Sequence, residues 1–307
     1  MTRTVTLFLC VVLAAGLIHA SLLDDANRLY TNGRLLEAVP LYKKAILGGE
    51  NPTFCYFNLA NAYYRMDSIA QAIVYYRACL EEAPGFFRGL LNCAIAYYSL
   101  DEIVECIASA LRAVKLEPEN KKAMLVLAAA YRKAGAYPEA ITWFERMAQL
   151  FPESEEPPQA LGELYWELDD PFEAIRWFEA YPRDGKNIAE ILQRLADIYE
   201  SQNDLDRAAY CLKKSFEKDP KRQWTYYRIL ALEEKAGSSL VALEDAREGV
   251  NQFPGSADIA LLAGLIAFKL EKYGEAEKYY RIAQKNGSAG AVIGLENVRN
   301  RLQSKGQ

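Results

Sequence analysis

Covalent and acid–base chemistry has little to work with in this chain. Histidine occurs once in 307 residues, at His19, so imidazole is nearly absent as general base or metal ligand. Cys55, Cys79, Cys93, Cys106 and Cys211 follow the first twenty residues in no C-x-x-C or other metal-type spacing. An odd number without pairs does not describe a disulfide framework. Five small core hydrophobes are the plainer role, with one bridge among Cys79, Cys93 and Cys106 as the sharper alternative. There is no phosphate-cradling loop, no G-x-G-x-x-G after a strand, no H-E-x-x-H and no G-x-S-x-G elbow. Asp169-Asp170 falls in a turn, where helix capping and solvation account for paired acids. The expectation is a protein that is not an enzyme and uses no cofactor or metal, leaving non-covalent recognition by aromatic, amide and charged side chains.

Bulk properties narrow the partners. Hydrophobic residues make up 51% and aromatic residues 12% of the chain, which suits a folded protein of one or two domains. The net charge is -5 with both signs interspersed, so there is no basic field for nucleic acid.

The elements that must position any recognition surface are legible in Thr53 to Phe86. Tyr56, Leu59, Ala60 and Tyr63 recur at the i, i+3, i+4, i+7 spacing of one helix face, and Ala72, Tyr76 and Cys79 mark a second helix. Met66-Asp67-Ser68 supplies the turn and Pro84 the stop. The unit is a helical hairpin of 34 residues, and such a hairpin needs stacked neighbours to cover its apolar faces. The same frame starts at His19, Thr53, Phe87, Lys121, Glu155, Ala189, Gln223 and Ala257 without insertion. Position 20 reads Ala38, Ala72, Cys106, Ala140, Ala174, Ala208, Ala242 and Ala276. Position 8 reads Ala26, Ala60, Ala94, Ala128, Gly162, Ala196, Leu230 and Gly264, with Leu230 the exception. Tyr63, Tyr97, Tyr131, Tyr165 and Tyr199 hold position 11. Pro84, Pro118, Pro152, Pro220 and Pro254 hold position 32.

These positions resemble the tetratricopeptide repeat (TPR) family over about 270 of the 307 residues. The resemblance implies an all-α fold: a right-handed TPR superhelical solenoid of about eight helix-turn-helix repeats with a C-terminal capping helix. Expected boundaries are a signal peptide or retained anchor over 1–20, eight tandem units over 21–288, and a capping helix and tail over 289–307. The first unit departs from the pattern at Asp25 and the seventh at Glu233 and Ala246. The fifth opens with Pro157-Pro158, and its second helix is expected to stop early at Pro182, before the polar loop Arg183 to Asn187; a variant turn there is preferred over a hinge. Val292, Leu295, Val298 and Leu302 are expected on one flank of the capping helix, with Arg299 and Arg301 on the other.

Arg3, the apolar run Leu7 to Ile18 and Ala20 read as an export signal cleaved before Ser21. The run is short for a membrane span. Ser21 with Asp24 suits a helix N-cap. Export places the mature chain in a periplasm or cell envelope, with an inner-membrane anchor as the alternative.

In the resembled family, positions 2, 5, 9, 12 and 13 of successive first helices line a concave groove that binds peptides or partner helices. Here the resemblance points to Phe54, Phe57, Asn61, Tyr64, Arg65, Arg88, Leu91, Asn92, Tyr98, Lys122, Arg132 and Lys133 as an aromatic surface with a basic end. Glu156, Glu163, Trp166, Glu167, Glu190, Asp197 and Glu200 make the middle of the chain acidic. Asn61, Asn92 and Lys122 match three of five positions of the family's carboxylate clamp, but Phe57 and Val126 replace its remaining cations, which argues against a clamp. A weaker resemblance, from Ala26 through Pro84, is to the TPR protein of bacterial Bat aerotolerance clusters and implies an envelope complex. The implied function is a scaffold for a protein or peptide ligand; self-association is the rival reading.

Overall fold

A computed structural model describes residues 21–305; the expected export signal lies outside the described residues. Within them the chain forms seventeen helices and no strand. They come in pairs: α1 (Leu22–Thr31) with α2 (Leu35–Leu47), α3 (Pro52–Arg65) with α4 (Ile69–Glu82), α5 (Phe87–Ser99) with α6 (Ile103–Leu116), and α7 (Lys121–Lys133) with α8 (Tyr137–Leu150). These fill a compact unit ending at Pro152. A second unit begins at Glu153 and holds α9 (Glu156–Glu167) with α10 (Pro171–Glu179), α11 (Ile188–Ser201) with α12 (Leu205–Lys218), α13 (Gln223–Lys235) with α14 (Ser239–Gln252), α15 (Ala257–Lys269) with α16 (Tyr273–Lys285), and the last helix α17 (Gly290–Lys305).

Each hairpin closes through matched volumes. All eight residues at position 20 are 0% exposed, so the second helix meets the first through a methyl-sized or thiol-sized contact. Position 8 faces the residue at position 24. A Cβ on Gly162 would stand 2.5 Å from the Phe178 ring, and one on Gly264 would stand 2.6 Å from Tyr280. Close packing leaves no room for both to be large. The seventh repeat reverses the assignment, with Leu230 at position 8 and Ala246 at position 24, both 0% exposed. That exchange of sizes accounts for two departures from the repeat pattern at once.

Each hairpin turn passes through one left-handed residue at position 15. Gly33, Asp67, Asp101, Gly135, Asp169, Asn203, Gly237 and Glu271 have φ between 59° and 85°. Glycine, aspartate and asparagine tolerate this region; a longer side chain is held there at a cost. Glu271→Gly is therefore expected to stabilise the eighth repeat by about 0.5–1 kcal/mol, read as a higher urea midpoint.

The fifth repeat ends its second helix early, as Pro182 requires. The connecting loop is pinned: Tyr181 donates its hydroxyl hydrogen to Glu155 Oε2 at 2.7 Å, and the Lys186 amide donates to the same oxygen at 3.1 Å. Ser21 caps α1, its Oγ accepting from the Asp24 amide at 3.0 Å. The last helix packs only part of the expected flank: Val298 is buried and Leu295 packs against the core. Its buried stripe is Ala291, Gly294 and Val298, whereas Val292 is 52% and Leu302 48% exposed. The reason is steric: a Cβ on Gly294 would lie 2.5 Å from the Tyr280 ring, so the helix turns its glycine onto that ring and leaves Val292 and Leu302 outward.

Candidate functional site

The first helices α3, α5 and α7 of the unit ending at Pro152 carry the expected aromatic and basic site residues, and α1 adds Asn27 beside them. Two amide rungs organise this face. Tyr42 donates its hydroxyl hydrogen to Asn27 Oδ1 at 2.8 Å, and Asn58 donates Nδ2–H to the same oxygen at 2.8 Å. One repeat on, Tyr76 donates to Asn61 Oδ1 at 2.6 Å and Asn92 donates Nδ2–H to it at 2.9 Å. Burial pushes both tyrosine hydroxyls far above their ordinary pKa, so they stay protonated and keep a hydrogen to donate. Asn61 and Asn92 are thus bonded to each other rather than standing as two free amides, a second reason besides Phe57 and Val126 that the face is not a carboxylate clamp. The rung leaves the Asn61 amide hydrogens and the Asn92 carbonyl oxygen without a protein partner among the described residues. Asn27, Asn58 and the position-24 tyrosines were missing from the sequence-derived set. Their signal is the offset of 31 residues between the two asparagines of each rung, one repeat less three.

Aromatic side chains flank the rungs. Phe57 is half-buried, its ring 5.1 Å from Phe86 in edge contact and 6.2 Å from Tyr76. Phe54 packs at 5.6 Å on the other side of Phe86 and stays 42% exposed. Tyr64 and Ser99 share a hydrogen bond of 3.2 Å across repeats. Arg65 lies 4.8 Å over the Tyr30 ring and donates to the Tyr30 carbonyl oxygen at 3.2 Å. Leu91 does not belong to the open surface; it is 7% exposed and part of the packing.

The cations divide into two kinds. Lys133 stands 4.9 Å over Tyr98 and pairs with Asp101 at 2.8 Å, and the hydrogen bond to Asp101 raises its pKa. Arg132 is half-buried and already engaged within the protein. Arg88 and Lys122 are exposed and make no ion pair among the described residues. They form the available positive edge.

In the unit beginning at Glu153, the expected acidic side chains are partly answered. Arg228 donates to Asp197 Oδ1 at 2.7 Å and to Glu200 Oε2 at 2.9 Å, and Gln159 donates to Glu163 at 3.2 Å. Ser154 holds Glu156. Arg228 was not anticipated, because it comes from the following repeat.

All five described cysteines are buried free thiols. Burial pushes Cys55, Cys79, Cys93, Cys106 and Cys211 up to about 11, which keeps the thiolate, the reactive form, scarce. Among the described residues no group of three or more His, Cys, Asp or Glu is placed to hold a metal ion. No helix there is long and apolar enough to cross a membrane.

Comparison with known proteins agrees with this architecture. Two family models, both described as tetratricopeptide repeat, match residues 94–155 with 232–291 and residues 55–86 with 189–222. No curated protein matches the sequence. Among solved structures, a tetratricopeptide repeat protein from Parabacteroides merdae ATCC 43184 aligns with TM-score 0.51 at 15% identity, over 81% of this chain and 99% of that one. The MamA protein aligns with TM-score 0.52 at 22% identity, over 56% of this chain and 93% of its own. A structure of Naa15/Naa10 bound to HypK-THB aligns with TM-score 0.56 at 18% identity, over 80% of this chain and 39% of that one. At these identities the likeness speaks for the fold alone. With the matched segments together covering more than half of its residues, the chain belongs to the tetratricopeptide repeat family, whose members are typically non-catalytic scaffolds for other proteins.

Proposed function

We propose that this protein is a non-catalytic scaffold of the bacterial cell envelope that holds an extended segment of a partner on the first-helix face of residues 21–152. The observation that carries this reading is the pair of amide rungs. Each rung fixes one asparagine by its oxygen and the next by its nitrogen, so amide N–H and C=O groups at Asn27, Asn58, Asn61 and Asn92 remain available in alternation. An extended backbone presents complementary donors and acceptors. Phe54 beside Phe86 gives a partly exposed apolar anchor, and Arg88 with Lys122 favours an acidic residue at one end. The export reading of Leu7 to Ile18 supplies the compartment.

The test uses crosslinking capture from a native envelope fraction. A Phe54→Ala, Arg88→Glu, Lys122→Glu variant changes only exposed side chains, so its circular dichroism should match the parent chain. Capture of the main partner is expected to fall about tenfold or more; undiminished capture would remove this face from consideration. N-terminal sequencing of the natively expressed protein should begin at Ser21. A start before Leu7 would place the chain on the membrane instead.

A further inference from the structure

At the joint between α12 and α13, Phe216 comes off the end of the second helix and packs onto the next hairpin. Its ring lies 5.0 Å from Tyr226 and 6.2 Å from Phe253. Phe216 sits at repeat position 28, where four other repeats place Ile46, Leu80, Val114 and Val250 and two place Ala148 and Gln284. The fifth repeat has Pro182 there. Proline cannot continue the helix, so α10 has 9 residues where α12 has 14, and the chain leaves along the loop pinned by Glu155.

The result is a cavity of about 650 Å³ bounded by α10, α11 and α12. Ile188 and Leu192 line it from α11 and Tyr210 from α12, with Tyr210 61% exposed. Arg183 and Lys218 border it, are exposed and make no ion pair among the described residues. Two carboxylates also line the cavity: Glu217 holds Lys214 at 2.8 Å, and Glu179 accepts the Tyr199 hydroxyl hydrogen at 2.8 Å.

We propose that this cavity is a second binding site, which takes a leucine or phenylalanine side chain from an acidic helical segment of a partner protein. Two observations fix that occupant. Leu192 stands one repeat before Tyr226, the residue that Phe216 packs on at the following joint, so this wall lacks the large apolar side chain that covers its counterpart. The two unpaired cations ask for carboxylates beside it. The site uses none of the residues of the first-helix face and stands whether or not that face binds a ligand.

A fluorescein-labelled peptide copying residues 69–82 is a suitable probe, because this segment is helical in the protein and ends in Leu80-Glu81-Glu82. Fluorescence anisotropy with the full chain is expected to show saturable binding. Arg183→Glu with Lys218→Glu should weaken it about tenfold, and Leu80→Ala in the peptide should do the same. Both protein substitutions are at exposed positions, so folding is not at issue. Arg88→Glu with Lys122→Glu should leave the affinity unchanged. The proposal is overturned if the peptide does not bind at millimolar concentration, or if the charge-reversed protein or the Leu80→Ala peptide binds equally well. Concentration-dependent dimer mass by light scattering, abolished by Arg183→Glu with Lys218→Glu, would assign the cavity to a second copy of the chain and likewise overturn it.

Discussion

Tyr280→Ala is expected to remove about 3–5 kcal/mol from the last hairpins, the cost of deleting a buried aromatic ring without collapse of the space it filled. Tyr280 is 1% exposed, and its ring occupies a slot made by two glycines, whose added Cβ atoms would lie 2.6 Å (Gly264) and 2.5 Å (Gly294) from it. Because a repeat array loses stability locally, the loss should appear as faster hydrogen exchange across α15, α16 and α17, with α1 to α8 unaffected. The seventh repeat suggests the compensating change. Gly264→Leu added to Tyr280→Ala reproduces the Leu230 and Ala246 arrangement and should recover roughly half of the loss, whereas Gly264→Leu alone should be destabilising. A single Tyr280→Ala costing under about 1 kcal/mol would contradict the packed slot.

Lys213→Ala should be the next most damaging change, by about 2–3 kcal/mol near pH 8. Breaking a fully buried ion pair costs about 3–5 kcal/mol, but Lys213 is 38% exposed and water screens part of the loss. Its ammonium lies 2.5 Å from Glu233 and 2.6 Å from Asp245, drawing together α12, α13 and α14. Glu233 is 5% exposed, and burial pushes its carboxyl up to about 7 against the pull of Lys213. Asp245, Tyr226 and Glu248 are the other titratable groups near this site. The sign follows from the raised folded pKa: Glu233 favours the folded state while protonated. That contribution is complete below the ordinary carboxylate range and fades as pH rises through about 7. The parent chain should therefore melt higher at pH 5 than at pH 8. The Lys213→Ala penalty should shrink at pH 5, where Glu233 is neutral. A penalty that is the same at both pH values would rule out a charged Glu233 as its cause.

The fold was readable because its determinants are periodic. Ala72 and its counterparts recur every 34 residues, and each is a contact between two helices, so spacing alone locates them. The left-handed turn residues are equally periodic, but Gly33, Asp67, Asn203 and Glu271 share a backbone conformation and no side-chain type. The candidate face was legible only in part. Phe54, Arg88 and Lys122 are exposed where the family pattern puts them. Leu91 shares that pattern and is buried, because repeat position fixes a direction and neighbouring side chains decide what remains open. Asn27 and Asn58 stayed outside the expected site because their meaning depends on a bond between repeats, as does that of Arg228. Glu233 looked like an unexplained fault in its repeat; its partners are contributed by two other helices.

The five buried thiols have a consequence for how the chain can be followed over time. Each sits at 6% exposure or less, with its thiolate suppressed by burial, so an alkylating reagent reacts appreciably only when the surrounding hairpin opens. Cys55 and Cys79 report on α3 and α4, Cys93 and Cys106 on α5 and α6, and Cys211 on α12. Modification at each cysteine therefore records the opening frequency of its own hairpin. In an oxidising compartment the same coupling makes the lifetime of each thiol a measure of local folding.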